Sequence, residues 1–207
     1  NPDETTLVNV AAEYGYKFIS RVGNIVTIEE NNSSKQYTIL NRFEFSSARL
    51  RSSIILLEPE TKKYYIMMKG ADSVVLSPTT LNSYSLSYLV PSTKAHIEAF
   101  ARNGLRTLCY CMREIKEDEY EAFNSHYSLL KTKSITDKTC EDKVEELIKG
   151  IESGMTLLGA TALEDKLQDE VKEDLQKFFE AGINVWMITG DKMDTAESIG
   201  HSCKLFS

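Results

Sequence analysis

The stretch "VWMITGDKMDTAESIG" runs from apolar residues into Thr189, Gly190 and Asp191 and then into a helix-forming segment. These three residue types suit a ligand loop. Glycine lets the backbone approach, threonine offers a hydroxyl, and aspartate offers a carboxylate to a cation or a hydroxyl group. The free N–H groups of the helix that follows favour an anion. Taken alone, the tripeptide also reads as a tight turn in which Asp194 or Thr195 caps that helix.

The elements that must position this loop follow from the hydrophobic pattern. "MTLLGATAL" reads as a strand, "LQDEVKEDLQKFFEAG" as a helix with Val171, Leu175 and Phe178 or Phe179 inward, and "INVWMI" as a second strand. A crossover of that length predicts a parallel βαβ unit, and loops at the carboxyl ends of parallel strands are where such sheets bind ligands. Upstream the pattern is different. Leu7, Val10, Ala11 and Tyr14 form a helical stripe closed by Gly15. The strands "YKFISRV", "IVTIEE", "QYTILNRFEF", "RSSIILL" and "YYIMMKG" come next, separated by turn residues such as Gly23-Asn24 and "EPETKK". "SPTTLNSYSLSYLVP" reads as a surface loop. Then come the helix "TKAHIEAFARN", the strand "LRTLCYCMRE", and two helices with acids at their starts. The expected fold is therefore α+β, with an antiparallel sheet flanked by helices over residues 1–155 and a partial α/β parallel-sheet segment over 156–207.

Composition narrows the function classes. With 24 Lys and Arg against 31 Asp and Glu, the net charge of −7 argues against a nucleic-acid surface. Aliphatic runs such as "IILL" fall far short of the ~20 apolar residues a membrane span needs, and no signal peptide is expected. Cys109, Cys111, Cys140 and Cys203 contain no CxxC pair, so neither a zinc knuckle nor a dithiol motif is read from them. They are expected to be reduced and cytosolic, with Cys109 and Cys111 as small buried hydrophobes on one strand face. His96, His126 and His201 match no ligand spacing.

Six stretches in order carry a resemblance: "NPDETTLV", "FEFSSARLRS", "MKGAD", "NGLRTLCYC", "ALEDKLQDEV" and "AGINVWMITGDKMDTAESIGHSCKL". Together they resemble consecutive signatures of the type IV P-type ATPases, the phospholipid flippases. "KGAD", "GLRTL" and "TGDK" are shared by P-type ATPases generally, whereas "PDE", "EDKLQ" and "GxSCKL" are closer to the flippase branch. The resemblance implies most of a nucleotide-binding domain followed by part of a phosphorylation domain. It also implies ATP and Mg2+ as cofactors, a phospholipid substrate and a possible accessory subunit reached through a membrane part, and a place as the cytoplasmic domain of an integral membrane protein. It further implies that the chain is a fragment, with the phosphorylated Asp of DKTGT upstream and GDGxND downstream.

Site residues transfer by position. Phe45 matches the aromatic on which adenine stacks, a contact that holds any base at ~1–3 kcal/mol, whereas an isolated strand phenylalanine is more often core. Glu4 matches the acid near the adenine amino group, and is equally a first-turn acid favoured by the helix dipole. Lys69, at a strand end before Gly70-Ala71, suits the adenine edge or a phosphate. Arg106 of "GLRTL" matches the arginine that grips the β-phosphate region, and Arg49 is a second candidate. Thr189, Gly190 and Asp191 match the loop facing the γ-phosphate and magnesium, and Glu164 and Asp165 match hinge and nucleotide-proximal acids. One departure stands out: where flippases read F-x-S-x-R-K-R-M, this chain has "FSSARLRS", with Leu50 in place of a phosphate-facing lysine and Ser52 in place of methionine. The lost charge-assisted contact is worth ~1.5–3 kcal/mol, and Arg49 or Arg51 is expected to compensate. A degenerate flippase-like nucleotide module within a larger signalling protein, such as a guanylate cyclase fusion, is the alternative.

Overall fold

A computed structural model describes residues 2–134, 139–164, 167–190 and 193–205. The chain opens with helix α1 (Pro2–Glu13) and continues through strands β1 (Tyr16–Val22), β2 (Ile25–Glu30), β3 (Ser33–Phe43), β4 (Arg51–Glu58) and β5 (Lys63–Gly70). After the short helix α2 (Asp72–Val75) come α3 (Val90–Arg102), β6 (Arg106–Ile115), α4 (Glu117–Ser134), α5 (Thr139–Ile151), β7 (Thr156–Leu163), α6 (Val171–Glu180) and α7 (Met193–Ser202). All seven strands form a single antiparallel sheet whose spatial order is their order in sequence.

Local chemistry explains the hairpins. Val22 pairs with Ile25 across Gly23-Asn24, and Gly23 sits at a φ of 59°. Glu30 pairs with Ser33 across Asn31 and Asn32, at φ values of 49° and 67°. Two-residue hairpin loops of this kind need positive φ, which asparagine tolerates better than most residues.

Alternation then divides the sheet into two faces. Ile55 of β4, Ile66 and Met68 of β5, Cys109 and Cys111 of β6, and Leu157 of β7 are buried beneath the helices, where they meet Val75, Ile97, Phe123, Ile148 and Ile151. Met67 and Leu158 look out from the opposite face. The two β6 cysteines are core residues as expected, and burial pushes the Cys111 thiol up to about 12, with the Glu152 charge adding to the effect.

Two expectations are corrected. Residues 156–163 do not start a parallel sheet: β7 pairs antiparallel with β6 and completes the sheet built by β1 to β6. "INVWMI" forms no strand, and Trp186 and Ile188 are 84% and 96% exposed. A parallel strand is stable when both its faces are covered, and no described element of this chain covers that run. The α+β antiparallel half of the expectation stands, and the parallel half does not. The second correction concerns 77–91, which is not a surface loop. Leu81 and Ser85 are buried, Leu81 bridges to Met155, and a one-turn π-helix (Ser85–Leu89) leads straight into α3. Two of the polar side chains that suggested solvent, Asn82 and Ser85, are turned inward and find partners on β7, while Ser83, Tyr84, Ser87 and Tyr88 stay exposed. Asn82 Nδ2 donates to Thr156 Oγ1 at 2.9 Å, and Ser85 Oγ accepts the Leu157 N–H at 3.0 Å.

Gly70 ends β5 against the turn at residues 46–50. Leu50 there adopts a φ of 52°, and its carbonyl accepts the Ala71 N–H at 3.0 Å. A Cβ on residue 70 would lie 2.7 Å from both the Leu50 oxygen and Arg51 Cβ. Gly70→Ala is therefore expected to cost about 1–3 kcal/mol, as overpacking does. An unchanged urea midpoint would show that the turn moves aside freely.

Candidate functional site

The elements described above bring four of the expected residues around one cleft of about 460 Å³: Glu4 from α1, Phe45 from the β3–β4 connection, Lys69 from the end of β5 and Arg106 from the start of β6. Leu50, Gly70 and Ala71 complete its floor, and Gly190 and Thr195 of the tail reach its rim. The cleft widens into a trough of about 770 Å³ across the open sheet face, past Phe18, Met67, Tyr110 and Leu158.

Phe45 shows how two phenylalanines two residues apart take opposite fates. Phe43, the last residue of β3, is buried and meets Phe123 and Tyr127 edge to face at 6.0 and 5.6 Å. Phe45 lies beyond the strand end, borders both cleft and trough, and is 61% exposed. Leaving an aromatic ring in water forfeits ~1.5–3 kcal/mol of burial, so a ring placed this way is available to stack on a flat ligand.

Charges in the cleft are paired across elements. Lys69 Nζ bonds Glu4 Oε2, and Arg106 Nη1 lies 3.8 Å from Asp3 Oδ2. The first turn of α1 therefore spans the two strands that supply the cations. Burial pushes the Tyr110 phenol up; the hydrogen bond donated by Thr161 opposes this and the Glu4 charge adds to it, so Tyr110 is a neutral hydroxyl at neutral pH.

Arg49 is not part of the cleft lining. Its guanidinium Nη2 bonds Glu152 Oε1, and its Nε lies 3.5 Å from Glu145 Oε1. Arg51 Nε donates to Glu152 Oε2 at 2.7 Å, and Ser53 Oγ donates to Glu152 Oε1. The expected compensation for Leu50 therefore meets a competitor, because both flanking arginines are held by one carboxylate on the helical side of the sheet. Leu50 itself lines the cleft. Thr189 and Glu164 are not among the lining residues, and Asp165 and Asp191 lie outside the described residues.

Sequence reasoning missed Glu152. It is 2% exposed, yet its carboxylate fixes both ends of the turn that carries Leu50. The available signal was its position: four residues after Ile148 and directly after Ile151, it continues the buried stripe of α5 one residue past the helix end.

A family model described as "P-type ATPase, cytoplasmic domain N" matches residues 1–170. The chain belongs to the P-type ATPases and contains their cytoplasmic N domain. Among curated relatives, Phospholipid-transporting ATPase DRS2 of Saccharomyces cerevisiae is 44% identical over 209 residues, covering 100% of this chain and 15% of the relative. Phospholipid-transporting ATPase IC of Homo sapiens is 39% identical over 208 residues, covering 100% of this chain and 16% of its own length. Phospholipid-transporting ATPase dnf2 of Schizosaccharomyces pombe is 38% identical over 205 residues, covering 99% and 14%. The chain thus spans about 15% of the length of the relatives it matches.

A buried carboxylate shared by two arginines loses heavily when its charge is removed, because the guanidinium groups stay buried without their counterion. Glu152→Gln is expected to cost about 3–5 kcal/mol in urea unfolding. A loss below about 1 kcal/mol, the scale of a surface pair, would mean that Arg49 and Arg51 swing out to solvent.

Proposed function

We propose that this chain is the nucleotide-binding part of a phospholipid-transporting P-type ATPase, with ATP bound in the cleft between Glu4, Phe45, Lys69 and Arg106. The observation that carries this reading is the exposed Phe45 ring at the mouth of a cleft that also holds two cations from neighbouring strands. The base stacks on Phe45, Glu4 accepts hydrogens of the adenine amino group, Lys69 takes the adenine edge or a phosphate, and Arg106 grips the phosphate chain. Because Glu4 and Lys69 face each other without ligand, nucleotide entry exchanges one ion pair for two separate contacts.

In this reading the γ-phosphate passes to an aspartate outside these residues, and lipid transport belongs to a membrane part. Among the described residues no helix is long and apolar enough to cross a membrane. The tail, with Thr189, Gly190, Asp191, Glu164 and Asp165, is read as the start of the phosphorylation domain. The division near residue 155 is part of the same proposal, although β7 beyond it pairs with β6 in the sheet of the first unit. The described residues do not fit a magnesium site. No three His, Cys, Asp or Glu side chains converge among them, and of the cleft acids Asp3, Glu4 and Asp72 the first two face cations. Phosphoryl transfer depends on positioning and charge neutralisation, so this chain's share is to hold and orient the nucleotide.

Calorimetry on the 207-residue chain is expected to detect ATP binding with no phosphate release. Phe45→Ala should weaken that binding at least about fivefold, the lower end of a stacking contribution, with little change in melting temperature. A large melting shift with unchanged affinity would assign Phe45 to the fold instead. Asp191→Ala separates holding from reacting. In this chain it should leave ATP affinity unchanged, whereas in the full-length transporter it should slow phosphoenzyme formation by orders of magnitude, as misplaced transfer geometry does. Collapsed affinity in the short chain would put the pocket in the wrong place.

A further inference from the structure

Behind the nucleotide cleft, on the helical side of β4, lies a second pocket of about 260 Å³. Successive strand residues point to opposite faces: Ser52 lines the cleft and Arg51 lines this pocket. Lys149 of α5, Ser73 of α2, and Ser77 and Thr79 of the turn after α2 form its other walls, with Glu152 at its base.

The donors here outnumber their acceptors. Arg51 gives its Nε–H to Glu152 at 2.7 Å, and its two terminal nitrogens donate to no atom among the described residues. The Lys149 ammonium and the Ser73 hydroxyl likewise have no hydrogen-bond partner among the described residues. Ser77 and Thr79 share a hydroxyl contact at 2.9 Å in which either is the donor, so one proton of the pair is available. The carboxylate at the base does not oppose an incoming anion in proportion to its charge, because Arg49 and Ser53 bond one Glu152 oxygen and Arg51 bonds the other. With Arg49 and Glu145 included, the cations exceed the acids by one.

A guanidinium, an ammonium and hydroxyls lining one small pocket form the donor set that a tetrahedral oxyanion takes. The volume lies below the ~300–1,000 Å³ of sites for drug-sized ligands, which suits a single anionic group and not a nucleotide. We propose that this pocket binds a phosphate group, either inorganic phosphate or the monoester on a phosphorylated serine or threonine side chain, through Arg51, Lys149, Ser73 and Ser77. The proposal does not rest on the nucleotide reading, since the two sites share no liganding residue.

The test is a titration of the 15N-labelled chain with inorganic phosphate and, separately, with N-acetyl-phosphoserine methylamide, at constant ionic strength with chloride as the control. Saturable shifts of the Ser73, Ser77 and Thr79 amide signals are expected. Binding should be about tenfold weaker in Lys149→Ala and Ser73→Ala, both at exposed positions that leave the melting temperature unchanged, and unaltered in Lys69→Ala, which belongs to the other cleft. Tighter binding of free phosphate identifies the ion as the ligand, and tighter binding of the phosphoserine compound identifies a protein-borne group. Shifts that chloride reproduces, or equal affinity in Lys149→Ala and the parent chain, would overturn the proposal.

Discussion

One buried carboxylate sets the geometry on which both faces of the sheet depend. Glu152 joins the residue that follows α5 to Arg49, Arg51 and Ser53, about one hundred residues away in sequence. A charge withdrawn from water is costly unless it is paired and fully hydrogen-bonded, and here two guanidinium groups and a hydroxyl meet that condition. The turn between Arg49 and Arg51 is thereby fixed, Leu50 is presented in its left-handed conformation toward the cleft, and Gly70 is needed so that β5 can end close beside it. The position of the cleft floor is thus decided on the far side of the sheet.

The α1 helix makes the second long-range tie. Asp3 and Glu4 face Arg106 and Lys69, so the helix N-terminus is held at the cleft by the same cations that a phosphate-bearing ligand attracts. Ligand and helix compete for those cations, and the balance is governed by partly exposed pairs whose strength falls with ionic strength.

Much of this was legible in the sequence because the information was local. Gly23-Asn24 specifies its turn by backbone preference, and Cys109 and Cys111 sit on one face by simple alternation. Glu4, Phe45, Lys69 and Arg106, singled out by their motifs, line one cleft in the structure. What failed was non-local. The apolar run at 183–188 has the composition of a strand, but pairing needs a neighbour that no composition supplies. Ser85 and Asn82 read as solvent-facing because their type is polar, and only β7 opposite, with its Thr156 hydroxyl and Leu157 N–H, explains why they point inward. Arg49 was expected at the phosphates, since its competitor Glu152 lies far along the chain and motif matching does not consider it.

The strict correspondence between strand order and chain order also bears on how the molecule assembles. Strands β1 to β5 are joined by short connections, so each pairing closes a small loop and loses little chain entropy. Low sequence separation of contacts goes with fast folding. The first five strands can therefore zip together before α3, α4 and α5 are in place, whereas the bond from Arg49 to Glu152 spans 103 positions and forms only when nearly the whole sheet exists. The cleft floor is then among the last features to acquire its final shape, and a nascent chain would carry a formed meander well before it could hold a ligand.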